Sequence, residues 1–385
     1  MLNGTDSFMD IPFHKPYITD DEISAVTTCL RNGWLTMGAK TFEFEERFAS
    51  AAGGKYAVAV NSGTAALHLA LCSIDLKAGD EVIVPAMTFV ATSEVVRYFG
   101  AKPVLVDIEY DTHLMDAAKI QEKINSKTKA IIPVHYAGQP CDMDEIIKIA
   151  KKNNLIVIED AAHAFPAFYK GRPIGSIGHI TCFSFYATKT ITTGEGGMAV
   201  TDNREWADKM RILRLHGISK DAWNRYAKNG SWKYDVTADG FKYNITDIAS
   251  AIGLAQLDKI DFLTAERYRL SAYYNELFEN KKQFAPYKIA EDRKSAWHLY
   301  PLKIIPENSK ATRDELAEEL KKRGIMTSVH FIPLYHFSAY SSTGTAADYP
   351  VCETVFNQTI SLPLYAGMKD KDAETVARAV IDICE

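Results

Sequence analysis

Short aliphatic and β-branched runs recur through the first two hundred residues, and between them apolar positions return at helical spacing among polar ones. Residues 56–60, 81–85, 103–107, 130–134, 155–160, 180–185 and 197–201 read as strands, and 64–71 and 143–152 as helices between them. This alternation predicts an α/β fold: a mostly parallel central sheet with helices on both faces. In such a sheet, sites collect at the carboxyl ends of the strands. The pattern changes after Tyr243. Residues 245–259 read as a helix with Ala249, Ile252, Leu254 and Leu257 on its apolar positions, and a second helical run continues through Tyr274. Residues 298–304, a helix at 313–323 and the segment 327–330 suggest a compact α+β unit. The expected division is therefore a large domain at 1–257 and a smaller one at 258–385. Residues 220–239, rich in Trp, Asn, Lys and Gly, read as a long surface loop.

Composition narrows the function classes. With Lys+Arg 44 against Asp+Glu 49 the net charge is -5, and no basic block is present, so nucleic acid is not an expected partner. The six cysteines are dispersed, without a C-x-x-C pair or a surrounding histidine cluster. Neither a zinc site nor a disulfide framework is expected, and reduced thiols fit a cytoplasmic protein. The first residues lack a charged region followed by an apolar run, and no segment approaches a membrane span. A soluble protein that is not exported is the expectation.

Candidate chemistry gathers at the predicted strand ends. Lys189 closes the run Ser184-Phe185-Tyr186-Ala187-Thr188-Lys189 and precedes Gly194-Glu195-Gly196-Gly197. A lysine leaving an apolar strand into a glycine-rich turn is placed to enter a cleft, where a depressed pKa would free its amine for a Schiff base. Taken alone it would be an ordinary loop lysine. Its company at matching strand ends, Asn61-Ser62-Gly63-Thr64 and Glu159-Asp160-Ala161-Ala162-His163, favours the cleft. Ser62-Gly63-Thr64 stands where a strand turns into a helix, a place that suits a phosphate, or equally a simple N-cap by Ser62 or Thr64. No G-x-G-x-x-G follows a predicted strand and no G-x-x-x-x-G-K-[ST] occurs, which disfavours a nicotinamide dinucleotide and a P-loop nucleotide. Asp160 could keep a pyridine nitrogen protonated. It could also cap the following helix, or ligate a metal with His163, although no second carboxylate and histidine cluster has metal-site spacing. Phe89 follows another strand end and could stack on a flat heteroaromatic ring or simply fill the core.

Together these residues, with residues 85–92 and Tyr243-Asn244-Ile245-Thr246-Asp247-Ile248 through Gly253-Leu254-Ala255-Gln256-Leu257, make a chain that resembles the DegT/DnrJ/EryC1/StrS family. These are pyridoxal-phosphate sugar aminotransferases of fold type I, and the resemblance runs from about Ile11 to Met368. The stretches Gly240-Phe241-Lys242-Tyr243-Asn244 and Ala296-Trp297-His298-Leu299 are similar to the branch that aminates C4 of UDP-linked 4-keto sugars, including the lipid A aminoarabinose enzyme. The resemblance implies pyridoxal 5'-phosphate, passing through a pyridoxamine 5'-phosphate form, with Lys189 as the Schiff-base lysine and proton shuttle. It implies Asp160 as partner of the pyridine nitrogen, Gly63, Thr64 and Ser184 as the phosphate cup, and Phe89 as the stacking residue. His163 would lie near the ring hydroxyl, where many members carry glutamine, and His330 near the substrate end. Asn244 would reach the phosphate of the neighbouring subunit, which implies a homodimer with shared sites. The implied reaction moves the amino group of glutamate to a nucleotide-linked keto sugar, in cell-surface polysaccharide biosynthesis.

Three other function classes are consistent with parts of this pattern. A sugar dehydratase branch of the family carries histidine where this chain has Lys189, so the lysine argues against that class. A noncatalytic sugar-binding protein would have no use for Lys189, Asp160 and Ser184 together. A relative acting on a cyclitol or aminobenzoate precursor would share the whole cofactor constellation, and only substrate assay separates it.

Overall fold

The computed structural model describes residues 11–219 and 234–385. Helix α1 (Asp20–Asn32) opens on a capping box, in which the Glu22 carboxylate accepts the Thr19 N–H at 2.8 Å, and it ends at Gly33 with φ 72°. Helix α2 (Ala39–Ala52) has Gly38 at its N-cap and no capping side chain of its own. Asp247 supplies the cap from far along the chain. Its Oδ1 accepts the N–H groups of Gly38 (2.7 Å) and Thr41 (3.0 Å) and the Thr41 hydroxyl (2.7 Å), and its Oδ2 accepts the N–H of Lys40 (3.1 Å).

The predicted alternation follows: β1 (Tyr56–Val60), α3 (Gly63–Ser73), β2 (Glu81–Pro85), α4 (Val90–Arg97), β3 (Lys102–Val106), β4 (Thr128–Ile131), α5 (Met143–Asn153) and β5 (Ile156–Asp160). A short hairpin, β6 (Phe168–Tyr169) and β7 (Arg172–Pro173), leads to β8 (Ile180–Ser184), β9 (Gly197–Thr201) and α6 (Arg204–Leu213). Seven strands form one sheet in the order β1-β9-β8-β5-β4-β2-β3. β2, β3, β4, β5 and β8 pair in parallel, and β9 alone runs against both β8 and β1. Consecutive residues of a strand face opposite sides, yet Val82, Ile83 and Val84 are all fully buried, so helices cover both faces.

Two strands stop short of the sequence expectation for definable reasons. β4 ends before Pro133, which has no N–H to give a neighbour, although its carbonyl still accepts from Asp160 N–H at 2.9 Å. β3 ends at Val106, where the Asp107 carbonyl leaves the sheet to accept from Asp116 N–H at 3.1 Å and its carboxylate accepts the N–H groups of Val351 and Cys352.

The remaining elements are α7 (Asp247–Asp258), α8 (Ile260–Phe278), β10 (Phe284–Pro286), β11 (Arg293–Lys294), β12 (Tyr300–Ile304), α9 (Arg313–Lys322), α10 (Pro350–Gln358), β13 (Thr359–Leu362) and α11 (Asp370–Cys384). The helix expected from residue 245 starts at Asp247, because the Thr246 hydroxyl caps it by accepting from Ala249 N–H. A second sheet, β10-β12-β13, carries α8, α9 and α11 around it, and β11 joins the β6–β7 hairpin. The first described residues return to this region: Ile11 N–H donates to Gly324 O at 2.8 Å, and Met326 N–H to Ile11 O at 3.0 Å. Of the expected surface loop at 220–239, residues 220–233 lie outside the described residues. No described helix is long and apolar enough to cross a membrane, and the six cysteines are free thiols.

Asp247→Ala should strand the donors of the first turn of α2 in a buried setting. We expect a loss of roughly 2–3 kcal/mol in a denaturant titration; a change under about 0.5 kcal/mol, the scale of an ordinary surface substitution, would contradict this account of the cap.

Candidate active site

Strand direction brings the carboxyl ends of β2, β4, β5 and β8, which pair in parallel, and of β1, which lies beyond β9, to one edge of the sheet, and antiparallel β9 begins at that edge. The register sets Ser184 beside Gly197, Gly197 beside Val60, and Cys182 beside Asp160. A cleft of about 470 Å³ opens there, within the range of small-molecule sites. Gly63, Thr64, Phe89, Asp160, His163, Ser184, Lys189 and His330 all line it, and Asn244 does not.

Ser62 caps α3, its Oγ accepting from Ala65 N–H at 3.1 Å. The first-turn N–H groups of Gly63 and Thr64 have no intrahelical acceptor and stand at the positive end of the helix dipole. The capping and anion-binding readings of Ser62-Gly63-Thr64 are therefore compatible. Gly63 must be small, because a Cβ there would come within 2.9 Å of the Ser184 Cβ, and a Cβ on Gly197 would come within 2.3 Å of the Ser62 carbonyl. These glycines let strand ends and helix approach closely enough to make one cradle. The Ser184 Oγ accepts from Tyr186 N–H at 3.3 Å, which leaves its own proton free for the cleft.

Adjacent strand residues point oppositely, and this separates the two carboxylates that end β5. Glu159 faces the packed side, where it accepts from Gly178 N–H (2.7 Å) and the Thr181 hydroxyl (2.8 Å) and meets His135 Nε2 (2.8 Å). Asp160 faces the cleft. Its Oδ1 accepts from Ala162 N–H at 3.1 Å and its Oδ2 from the Thr92 hydroxyl at 2.7 Å. Burial pushes its carboxyl pKa up, and the two donors and the Lys189 charge oppose that rise. Asp160 is thus no helix cap but a carboxylate held ready for a cationic partner.

Lys189 sits half-buried in the turn after β8, its N–H donating to Tyr186 O at 2.9 Å. Desolvation lowers its amine pKa to about 8, the Asp160 charge resists that fall, and the Arg267 charge adds to it. Phe89 is 58% exposed at the cleft mouth, so it is not core. The His163 ring is buried, its pKa well below normal through burial and the Lys189 charge, and its Nδ1 has no partner among the described residues. His330 lies over Phe13, with ring centroids 5.5 Å apart, and its Nδ1 meets Ser361 Oγ at 2.9 Å. Asn244 pairs with Val60 by a β-bridge; its Nδ2 donates to Ile245 O at 3.2 Å, and its buried Oδ1 has no partner among the described residues. It does not cap α7, because Thr246 does.

Three cleft contributors had no assigned role in the sequence. Phe13 and His298 arrive from segments outside the strand-end pattern, and Thr92 acts from behind Asp160. His298 stands 4.3 Å from the His163 ring. It is carried by a backbone stitch in which His298 N–H donates to Ala137 O (2.9 Å) and Ala296 N–H to Gly138 O (3.0 Å). Ala137 (φ 54°), Gly138 (φ 100°) and Trp297 (φ 46°) all adopt left-handed conformations at this crossing. Buried Arg267 secures it by donating to the carbonyls of Trp297, His298 and Leu364. No local pattern in the sequence signals such a contact.

The cleft has the donors a phosphate needs, an aromatic face, a buried carboxylate for a protonated ring nitrogen and an amine of lowered pKa for a carbonyl. This set fits pyridoxal phosphate. The sequence model of the DegT/DnrJ/EryC1/StrS aminotransferase family matches residues 16–381. The spore coat polysaccharide biosynthesis protein SpsC of Bacillus subtilis is 45% identical over 376 residues, covering 97% of each chain. Spr1654 of Streptococcus pneumoniae, 36% identical, superposes in its PMP form with a TM-score of 0.91 over 97% of this chain and 99% of its own, and in its PLP form with 0.89. PseC of Helicobacter pylori, an aminotransferase involved in pseudoaminic acid biosynthesis, is 31% identical with a TM-score of 0.90, covering 97% and 99%.

The Lys189 amine predicts a pH signature. Labelling of Lys189 by an amine-directed reagent in cofactor-free protein, mapped by peptide mass, should rise through about pH 8. A midpoint at the ordinary lysine value would contradict the desolvation argument. Because the unfolded chain holds this proton more tightly, the Lys189 contribution to stability rises with pH from about 8 up to the ordinary lysine pKa, the sign opposite to that of a lysine in an ion pair.

Proposed function

The chain belongs to the DegT/DnrJ/EryC1/StrS aminotransferase family, a pyridoxal-phosphate family of sugar aminotransferases, and from that premise we propose that it moves the amino group of glutamate to a nucleotide-linked keto sugar, at C4 of a UDP-4-keto-hexose. The observation that carries the proposal is the pairing of Lys189, an amine of lowered pKa, with buried Asp160 across one cleft. The sugar is supported by the relatives, whose names speak of spore coat polysaccharide and of pseudoaminic acid. The exposed aromatic rim of Phe89 and Tyr186 suits a sugar face.

Pyridoxal phosphate, when bound, supplies the electron sink for charge developing at the amino-acid Cα. The protein does the rest. The N–H groups of Gly63 and Thr64 and the Ser184 hydroxyl would hold the phosphate, Phe89 would stack on the ring, and His163 would lie near the ring hydroxyl. Asp160 would keep the ring nitrogen protonated. Lys189 Nζ, as a free amine, would take the proton from the donor Cα and deliver it two atoms further along, past the amino nitrogen, and in the second half it would run this transfer in reverse. His330 contacts the sugar. In this proposal residues 1–257 form the cofactor-binding domain, and 258–385 a smaller domain that covers the cleft.

We also propose a twofold homodimer, soluble and cytoplasmic, in which Asn244 completes the phosphate site of the neighbouring subunit. Its absence from the cleft wall of its own chain and its unpartnered buried Oδ1 support that role. An isologous interface would give each site the partner's residue symmetrically.

Incubation with glutamate and a panel of nucleotide keto sugars, read by mass, should yield an aminated UDP-sugar, and Lys189→Ala should abolish it. Rapid exchange between two ordinary amino acids with no conversion of any keto sugar would overturn the proposal. Mixing inactive Lys189→Ala with inactive Asn244→Ala should restore about a quarter of parental activity, because half of randomly mixed dimers carry one site with neither lesion. No recovery despite proven subunit exchange would count against shared sites.

A further inference from the structure

Five helical threonines spend their hydroxyls on their own helix. The hydroxyls of Thr27, Thr28, Thr264, Thr354 and Thr375 each donate to the backbone carbonyl four residues earlier. Thr92, in the first turn of α4, like Thr41 in the first turn of α2, instead serves a distant carboxylate. Its hydroxyl lies 2.7 Å from Asp160 Oδ2 and 2.8 Å from the hydroxyl of Thr88. An ionised carboxylate offers only lone pairs, so Thr92 gives its single proton to Asp160 and must accept the proton of Thr88. The direction Thr88 to Thr92 to Asp160 is thereby fixed. Both threonines are buried, 1% and 0% exposed, so water does not compete for either bond.

The same turn presents Phe89. Thr92 N–H donates to Phe89 O at 3.2 Å, which ties the stacking residue and the relay into one rigid unit. We propose that the Thr88–Thr92 pair is a positioning relay that keeps Asp160 ionised and aligned with the ring that Phe89 covers. The proposal rests on Asp160 being the partner of the ring nitrogen. Polarised by Thr88, the Thr92 hydroxyl is a stronger donor than a lone hydroxyl, and it favours the charged carboxylate over the neutral acid. The other groups around Asp160 are Lys189 in the turn after β8, Cys182 on β8, His135 after β4, and the Ala162 N–H and His163 after β5. Burial raises the carboxyl pKa and also raises that of the Cys182 thiol, which therefore stays neutral beside it. Lys189 supplies positive charge only while it is protonated, so the relay is the donor from α4 whose effect does not vanish when Lys189 gives up its proton.

The test has one arm without cofactor and one with it. In cofactor-free protein carrying isotope-labelled aspartate, the Asp160 carboxyl is titrated by difference infrared spectroscopy and assigned by its loss in Asp160→Asn. Thr92→Val should raise its midpoint by about one pH unit, the scale of one hydrogen bond to a charged group. Thr88→Val should raise it less, and Thr92→Ser should restore the parental value. In protein loaded with pyridoxal phosphate, Thr92→Val should lower kcat about tenfold with little change in KM for the amino donor. An unmoved Asp160 midpoint in both Thr92→Val and Thr88→Val would overturn the relay. A shifted midpoint with parental kcat would leave the relay standing and instead overturn Asp160 as partner of the ring nitrogen.

Discussion

A carboxylate and an amine, both partly stripped of water, share one cleft, and each sets the charge of the other. Burial drives Asp160 toward its neutral form and Lys189 toward its neutral form, and their mutual attraction resists both changes. The balance leaves Lys189 near pH 8, where a small change in surroundings decides whether it is a cation or a free base. An amine at that threshold can exchange its proton at little cost near neutral pH. The neighbouring histidines do not disturb the balance, since burial and the Lys189 charge hold His163, His298 and His330 uncharged.

The backbone provides the shared cleft through strand direction. Five parallel strand ends and the start of one antiparallel strand meet at a single edge, so residues far apart in sequence converge without long side chains. Close approach there requires missing Cβ atoms at Gly63 and Gly197. The period of two within β5 then divides labour between its last two residues. Glu159 is taken up by hydrogen bonds on the packed side, and Asp160 faces the cleft.

The C-terminal part covers what the sheet lays out. Ser328, His330 and Phe331 line the cleft together with His298 and Leu299. The stitch between residues 137–138 and 296–298 holds that cover against the large sheet with paired backbone hydrogen bonds, and it accepts left-handed conformations at Ala137 and Trp297 to do so. Asp107, capping α10 from the end of β3, is a second such tie. Asp247 anchors the chain just after Asn244 to the start of α2, which keeps the Asn244 segment fixed although that residue does not line the cleft of its own chain.

The sequence by itself determined the sheet, its strands and the strand-end residues Gly63, Phe89, Asp160, Ser184 and Lys189. Short apolar runs, glycines and single polar residues at run ends are local signals, and parallel pairing turns such local signals into a common edge. The strand ends expected at Val134 and Asp107 and the helix start expected at Ile245 were misjudged by one to three residues, because a missing N–H, pairing with distant residues and the adjacent Thr246 cap decided them. Tertiary structure alone decided the rest. His298 and Phe13 reach the cleft through contacts with no sequence period; Thr92 finds Asp160 across 68 positions; Asn244 is bridged to Val60 and does not line the cleft of its own chain. Even the pKa of Lys189 belongs to this second class, because desolvation is a property of what surrounds a side chain and not of the residues beside it in sequence.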